Sequence, residues 1–256
     1  MDNLNIKKQD WHHFIDYSVP VNQGKKNSEN KSKPLNNIDL MVRDGQQSVY
    51  IPGSSLKGAI KTALLGIRNN EKDTKWYSKL SVRDSLPINK DSIAIYEKID
   101  VNRKDNPMVV YRECIDVGTE IKTTITIDDD ILSINEIETA IKAFFDNYRK
   151  KWLDGFNSTA VEREVLNETI PAQKNIIYLG GGSGFVSKTL QYQRYSKDDA
   201  KYKVFNTLSR RYKKVYGKLK KPPKNVPIAL KATHNKNERK WYQQGMCEIS
   251  FHEIIE

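Results

Sequence analysis

The sequence has few of the features that mark secreted, membrane-bound or metal-binding proteins. Its two cysteines, Cys114 and Cys247, are too far apart in the chain to form a CxxC metal knuckle and too few for a disulfide framework. No run of apolar residues approaches about 18, the length that a membrane span requires. The N-terminus also lacks the apolar segment of a secretory signal. We therefore expect a cytoplasmic protein with no membrane partner.

Residues that commonly carry catalysis are also scarce. The sequence has 4 histidines, of which His12 and His13 are adjacent, and His234 falls in a basic stretch. Acid–base cleavage of RNA needs two groups held in one site, and no such pair is evident. The acids Asp128–Asp130 follow one another in a turn and cannot all face a single ion. We predict no catalytic residue, no metal and no cofactor, with His234 as the candidate for a nuclease alternative.

Positive charge is the strongest signal, and it is concentrated in one place. Residues 201–240, the basic segment, hold 14 lysines and arginines against one acid, Glu238, while the whole chain carries a net charge of +11. The rest of the chain is therefore close to neutral. Aromatic residues alternate with these cations, a pattern typical of nucleic-acid binding because charge meets phosphate and rings meet bases. A merely solvated lysine-rich surface is the alternative interpretation.

Hydrophobic periodicity predicts an α+β fold. Two segments on either side of the turn-rich VNRKDNP, 93–99 and 109–115, indicate paired strands. Alternation of apolar and polar residues indicates a half-buried strand over 121–127. Helical spacing of apolar residues indicates helices over 55–67, 186–196 and 199–216. Strands and helices are mixed without regular βαβ alternation, which favours the α+β class.

The first informative motif is IPGSSLKG at 51–58. A proline–glycine turn precedes a helix that Ser54 or Ser55 is expected to cap, and the free amides of a first helical turn suit an anion. Lys57 and Lys61 are four residues apart and so share one face. The candidate RNA-binding residues in this region are Ser54, Ser55, Lys57, Gly58 and Lys61. An ordinary capped helix is the alternative.

The second motif is the glycine loop, Gly180–Gly184, which follows a predicted strand. Four glycines in five positions allow backbone amides to form an anion-binding concavity. The spacing fits neither a P-loop nor a dinucleotide fingerprint, so nucleotide hydrolysis is not predicted. The candidate RNA-binding residues are Gly180, Gly181, Gly182, Ser183, Gly184 and Lys188, and in the basic segment Arg210, Arg211, Lys213 and Lys214.

Several segments resemble a known family. PGSSLKGAIKTALL and VRDS are similar to signature segments of the RAMP proteins, the repeat-associated subunits of CRISPR effector complexes. YLGGGSGFVSKTL, LSRRYKKVYGKLKKPP and YQQGMCEISFHEI resemble the Csm-type subunit of type III-A complexes, which caps the 3′ end of the guide RNA. The resemblance extends from about residue 45 to the C-terminus. It implies a RAMP fold with ferredoxin-like (RRM-like) packing, whose first domain is incomplete because the family's opening strand and glycine turn are missing.

The resemblance also implies an organisation and partners. Residues 1–46 are expected to be an N-terminal remnant and linker, 47–170 an RRM-like region, and 171–256 the glycine-loop and basic half. The implied partners are CRISPR guide RNA, target RNA, backbone RAMP subunits and a trimming nuclease. A metal-independent RAMP endoribonuclease, a generic basic RNA-binding protein and a purely protein-binding role are the alternatives. Related backbone subunits cut RNA with a loop aspartate, for which Asp73 and Asp84 are the nearest positions, without a supporting motif.

Overall fold

The structure is a computed structural model that describes most of the chain: residues 19, 21–22, 38–68, 75–101, 110–128, 130–169, 175–235 and 237–253. The helices are α1 Gly53–Ile67, α2 Lys75–Ser78, α3 Ile134–Lys151, α4 Ala160–Thr169, α5 Gln191–Arg194, α6 Lys197–Arg211 and α7 Lys213–Tyr216. The strands are β1 Val21–Asn22, β2 Ile38–Asp39, β3 Leu80–Val82, β4 Ile93–Val101, β5 Val110–Ile115, β6 Ile125–Ile127, β7 Ile176–Tyr178, β8 Leu230–Asn235, β9 Lys240–Gln243 and β10 Met246–Glu248.

One mixed sheet organises the molecule around the long strand β4. Its strand order is β2-β5-β4-β8-β9, and β1 also pairs with β4. The first part of β4 is antiparallel to β5, with Ile93 opposite Ile115, and its end is antiparallel to β8, with Val101 opposite Leu230. The sheet therefore contains strands from all three predicted ranges, and the division into 1–46, 47–170 and 171–256 stays a prediction.

Helices α1 and α3 pack against each other and supply much of the hydrophobic core. Apolar residues of α1, such as Ile60 and Leu64, are fully buried, as are Ile137 and Ile141 of α3. The same core includes strand β7 and residues of α6, so it joins the two sides of the glycine loop. Mixed helices and strands around a predominantly antiparallel sheet confirm the α+β prediction.

Several local predictions are wrong in their bounds. Helix α1 begins at Gly53 rather than at 55, its N-cap position is Pro52, and neither Ser54 nor Ser55 caps it. The strand predicted over 121–127 is regular only in β6. The helix predicted over 186–196 is α-helical only in α5. The helix predicted over 199–216 begins earlier, at Lys197, because Ser196 caps it by accepting a hydrogen bond from the Asp199 amide, and it is interrupted at Tyr212 between α6 and α7. Within the described residues, no helix combines the length and hydropathy of a membrane span.

Candidate nucleic-acid interface

The start of α1 is closed by an acidic side chain from elsewhere in the fold. The Gly53 amide donates to Oδ1 of Asp84 at 2.7 Å, and the Ser55 amide donates to the Pro52 carbonyl at 2.9 Å. Two of the amides that the sequence motif offers to an anion therefore already have partners. Asp84, considered above as a catalytic candidate, acts here as a tertiary cap of the helix.

The lysines of α1 converge on one aromatic ring. Nζ of Lys57 and Nζ of Lys61 lie 4.2 Å and 3.9 Å from the centroid of the Tyr77 ring in α2. A tyrosine face attracts cations through its quadrupole, which offsets part of the repulsion between the two ammonium groups. This lysine–tyrosine cluster (Lys57, Lys61 and Tyr77) is half-buried. It places two cations, the kind of group that binds phosphate, against one aromatic ring.

The glycine loop is held in shape by its own hydrogen bonds. Gly180 and Gly184 have φ values of 75° and 93°, a region that favours glycine. Between them, the Ser183 hydroxyl donates to the Gly180 carbonyl at 3.0 Å, and Lys188 Nζ donates to the same carbonyl at 2.8 Å. The loop is therefore a fixed turn. Gly180 and Gly181 face solvent, whereas Gly182 and Ser183 are buried.

Two cationic side chains of the main sheet pack against this loop. A Cβ placed on Gly181 would lie 3.0 Å from a guanidinium nitrogen of Arg112 in β5, and one on Gly184 would lie 3.2 Å from Cγ of Lys231 in β8. We name Arg112, Lys188, Lys231 and the loop itself the glycine-loop cluster. The absence of side chains on the loop is what allows Arg112 and Lys231 to approach its backbone.

Acidic residues neutralise this cluster only in part. Arg112 pairs with Asp39 at 2.7 Å, and Lys231 pairs with Asp100 at 2.6 Å, while the Lys188 ammonium donates to a neutral carbonyl. Burial, and then the positive charge of Arg112, lower the pKa of Lys188. An anion beside Lys188 would stabilise its charged form and so oppose both effects. The cluster therefore favours a negatively charged ligand.

The end of α6 and α7 present the remaining predicted cations to solvent. Arg210, Arg211, Lys213 and Lys214 are all exposed, and Arg211 lies 5.6 Å from the centroid of the Tyr212 ring. The aromatic residues that alternate with them divide into two sets. Tyr202 and Tyr212 are about half exposed, but Phe205, Tyr216 and Trp241 are buried. Tyr202 and Tyr212 are therefore the rings of this pattern that lie exposed at the protein surface.

The candidate catalytic residues do not form a constellation among the described residues. His234 lies in strand β8, not in a loop, and is buried with its ring 5.0 Å from that of Trp241. His12, His13 and Asp73 fall outside the described residues. The described part of the chain contains no group of three or more histidine, cysteine, aspartate or glutamate side chains suited to a metal ion. The expectation of no catalytic residue, metal or cofactor stays a prediction.

The structure brings some predicted residues together and adds others. Lys188 meets Gly180, and Lys57 lies beside Lys61, as two separate clusters. The sequence reasoning missed Arg112, Lys231 and Tyr77. Arg112 had a detectable signal, since it is the one cation in the predicted strand segment VVYRECI, whereas Lys231 was one lysine among many in the basic segment.

Comparison with known proteins supplies a family. A RAMP superfamily profile matches residues 20–187. The protein described as CRISPR system Cms protein Csm5 from Enterococcus italicus is 40% identical over 271 residues, an alignment that covers 98% of this chain and 77% of that protein. The protein of the same description from Streptococcus thermophilus is 29% identical, and the alignment covers 88% of this chain and 70% of that protein.

Solved structures show the same fold. A chain in the cryo-EM structure of the Csm-crRNA-target RNA ternary complex of a type III-A CRISPR-Cas system superimposes with a TM-score of 0.57. The match covers 80% of this chain and 74% of that chain, at 18% sequence identity. At this identity, the two chains share the arrangement of helices and strands, and the comparison shows the fold alone.

Proposed function

Because the chain belongs to the RAMP superfamily and, within it, to the Csm5 proteins, we propose that it is a guide-RNA-binding subunit of a type III-A CRISPR ribonucleoprotein that caps the 3′ end of the complex. Membership confirms the family predicted from the sequence motifs, together with the α+β RAMP fold. Capping, the RNA contacts and a non-catalytic role are the parts that we propose.

The glycine-loop cluster is the observation that carries the proposal. It sets two solvent-facing glycines beside three cations, one of which has a lowered pKa because it is partly buried next to another cation. Phosphate is the anion that RNA offers at every nucleotide, and backbone amides and arginine bind it in complementary ways. A phosphate here would compete with Asp39 for Arg112 and would stabilise the charged form of Lys188.

Recognition is expected to depend on the RNA backbone more than on its sequence. Lysine and arginine contacts with phosphate fix register and orientation but do not distinguish bases. In this proposal Lys57 and Lys61 hold a second phosphate region beside Tyr77, and the exposed cations Arg210, Arg211, Lys213 and Lys214 extend the electrostatic path. Gly182 and Ser183 are buried and shape the loop, and their contact with RNA stays a prediction.

The proposed setting is a cytoplasmic complex. In it the subunit contacts the repeated backbone RAMP subunits and supports guide RNA maturation, for which a trimming nuclease is the proposed partner, and target RNA reaches the same assembly. We assign the chain no catalytic step, because His234 is buried in a β-sheet beside Trp241, away from solvent and hence from an RNA backbone.

The first experiment identifies the RNA. The tagged chain is purified from cells that carry its native locus, and the bound RNA is sequenced together with mass spectrometry of the copurified proteins. We expect short RNAs that share a repeat-derived end, accompanied by other RAMP subunits. A chain that purifies alone, or with unselected cellular RNA, would contradict the proposal.

A second experiment tests whether the glycine-loop cluster contacts RNA. Lys188→Gln is compared with Lys150→Gln, which removes an exposed lysine of α3 that pairs with Asp146. Each variant carries the same charge change. We expect Lys188→Gln to reduce the slope of log affinity against log salt by about 0.7, the value for one phosphate of a single strand. Equal slopes for the two variants would remove the glycine loop from the interface.

A further inference from the structure

A solvent-accessible cavity lies where α6 ends and α7 begins. Its volume is about 370 Å³, and residues of both helices line it, among them Phe205, Asn206 and Ser209 of α6 and Tyr216 of α7. This volume is within the usual range of small-molecule sites and exceeds what one planar nucleobase needs. The cavity is open to solvent at the same end of α6 that carries the exposed cations of the basic segment.

One residue that lines the cavity, Ser209, carries a buried polar atom without a protein partner. The Ser209 Oγ atom is buried and makes no hydrogen bond within the described part of the chain. Thr207, two residues earlier in the same helix, shows the usual solution, since its hydroxyl donates to the Lys203 carbonyl at 3.0 Å. A buried hydroxyl without a partner costs stability, and a ligand whose hydrogen-bonding atoms reached it from the adjoining cavity would relieve that cost.

The apolar part of the wall is fixed in place. The rings of Phe205 and Tyr216 meet edge to face with centroids 6.4 Å apart, and both residues are buried. The Tyr216 hydroxyl accepts a hydrogen bond from the Ile228 amide at 3.0 Å, which anchors this ring from behind. A preformed aromatic wall of this kind suits a flat, apolar-faced ligand because little side-chain entropy is lost on binding.

The rim of the cavity suits a nucleotide rather than a neutral ligand. Arg210 lines it, and Lys213 and Lys214 are exposed in the adjoining helix. Asn206, also in the wall, carries an amide that both donates and accepts, the combination that matches the N6 and N7 edge of adenine. Cations at the rim, amide and hydroxyl groups in the wall and two rings behind them are the chemistry of a phosphate-linked base.

We propose that this cavity receives one unstacked nucleobase of the bound RNA, with adenine as the best match. The inference rests on the proposed function and deepens it, because it adds one base-reading position to an interface that otherwise contacts the backbone. Asn206 and Ser209 read the edge of the base, and Arg210 holds the adjoining phosphate.

The test uses the full chain and a set of guide-length RNAs, each with one abasic nucleotide at a different position. We expect the affinity of the unmodified chain to fall about tenfold at one position and to change little elsewhere, the size of effect that loss of one stacked base produces. At that position, replacing adenine by a pyrimidine should also weaken binding. In the Ser209→Ala and Asn206→Ala variants, the loss of affinity caused by the abasic nucleotide (the abasic penalty) should fall to about twofold. The reason is that the base then gains less from the cavity.

Thr207→Val is the matched control, since it removes a hydroxyl from the same helix that points to the backbone instead of the cavity. It should keep the full abasic penalty. Equal affinity for every abasic RNA would overturn the base pocket while leaving backbone binding intact. Failure to bind any of the RNAs would instead overturn the proposed function and the pocket with it. Saturable binding of adenosine monophosphate, with a flat abasic profile, would assign the cavity to a free nucleotide and also overturn the proposal.

Discussion

The start of helix α1 and the glycine loop look alike in sequence but differ in what the fold places next to them. Both are turns rich in glycine and serine, and both offer backbone amides to an anion. At α1 the neighbour is the carboxylate of Asp84, 2.7 Å from the Gly53 amide. At the glycine loop the neighbours are Arg112, Lys188 and Lys231. One site is closed by negative charge, and the other is surrounded by positive charge.

This difference separates two uses of the same local motif. An amide-rich turn can stabilise the protein itself, when a side chain from the fold supplies the anion, or it can keep its potential for a ligand. In α1 the cations available to a ligand are Lys57 and Lys61, which lie one and two turns further along the helix, close to the Tyr77 ring. In the glycine loop the cations lie beside the turn itself.

The largest contrast is expected between one glycine from each region. A Cβ on Gly182 would lie 2.3 Å from Oε1 of the buried Gln244, whereas a Cβ on Gly58 would meet no atom within 4 Å. Gly182→Val should therefore lower the free energy of unfolding by about 2 kcal/mol, the cost of overpacking. Gly58→Ala should raise it by about 0.5 kcal/mol because alanine favours a helix interior. Chemical denaturation of both variants measures these changes.

The RNA affinity of the Gly58→Ala variant tests the second difference between the two regions. If RNA approaches α1 closely at Gly58, the Gly58→Ala variant should be more stable and yet bind RNA more weakly. A variant that is more stable and binds with unchanged affinity would show that the backbone at this position does not contact RNA. A Gly182→Val protein as stable as the parent would contradict the close packing of the loop against Gln244.

The class of the fold and the positions of the motifs could be predicted from local sequence. The helical spacing of Ile60 and Leu64 on α1 and the two segments that flank a turn, β4 and β5, depend on neighbours in the chain, so they are visible without a structure. The strand before the glycine loop was found for the same reason. The α+β class could therefore be predicted from local patterns in the sequence.

The neighbours of each turn could not be predicted in the same way. Asp84 is 31 residues from Gly53, and Arg112 reaches the glycine loop from a strand that is distant in sequence. Such contacts depend on strand order and helix packing, which single-sequence patterns do not specify. The prediction of a serine cap on α1 was wrong for this reason, because a tertiary carboxylate took the role that Ser54 or Ser55 would have had.

The lysine–tyrosine cluster gives the next largest effect. Replacing both Lys57 and Lys61 with alanine should lower RNA affinity about tenfold at low salt. It should also reduce the slope of log affinity against log salt by about 1.4, the value for two phosphates of a single strand. Sequence preference should not change, because neither lysine reads a base. Filter binding across a salt series measures both quantities. Unchanged salt dependence would limit these lysines to a structural role with Tyr77.

Removing the negative charge at α1 should have a smaller effect of opposite sign. Asp84→Asn keeps a hydrogen-bond acceptor for the Gly53 amide but removes the charge, so stability should fall by only about 0.5 kcal/mol. RNA affinity should rise about twofold, since a carboxylate one turn from Lys57 is lost. Asp146→Asn, an exposed acid on α3, carries the same charge change and serves as the control. An equal rise in both variants would mean that only net charge matters and that the closed turn has no specific effect on binding.

The smallest effect is a pH dependence that belongs to the glycine loop alone. Burial and Arg112 lower the pKa of Lys188, so this lysine loses its proton at a lower pH than its ordinary range when no anion is bound. A bound phosphate favours the charged form, and RNA binding at alkaline pH must therefore include uptake of a proton by Lys188. Affinity should fall as the pH rises through the pKa of Lys188 in the free protein.

Lys188→Arg should flatten this dependence of affinity on pH, because arginine stays charged throughout. Lys57→Arg is the matched substitution in α1 and should leave the profile unchanged; identical profiles for both variants would place the titrating group outside the glycine-loop cluster.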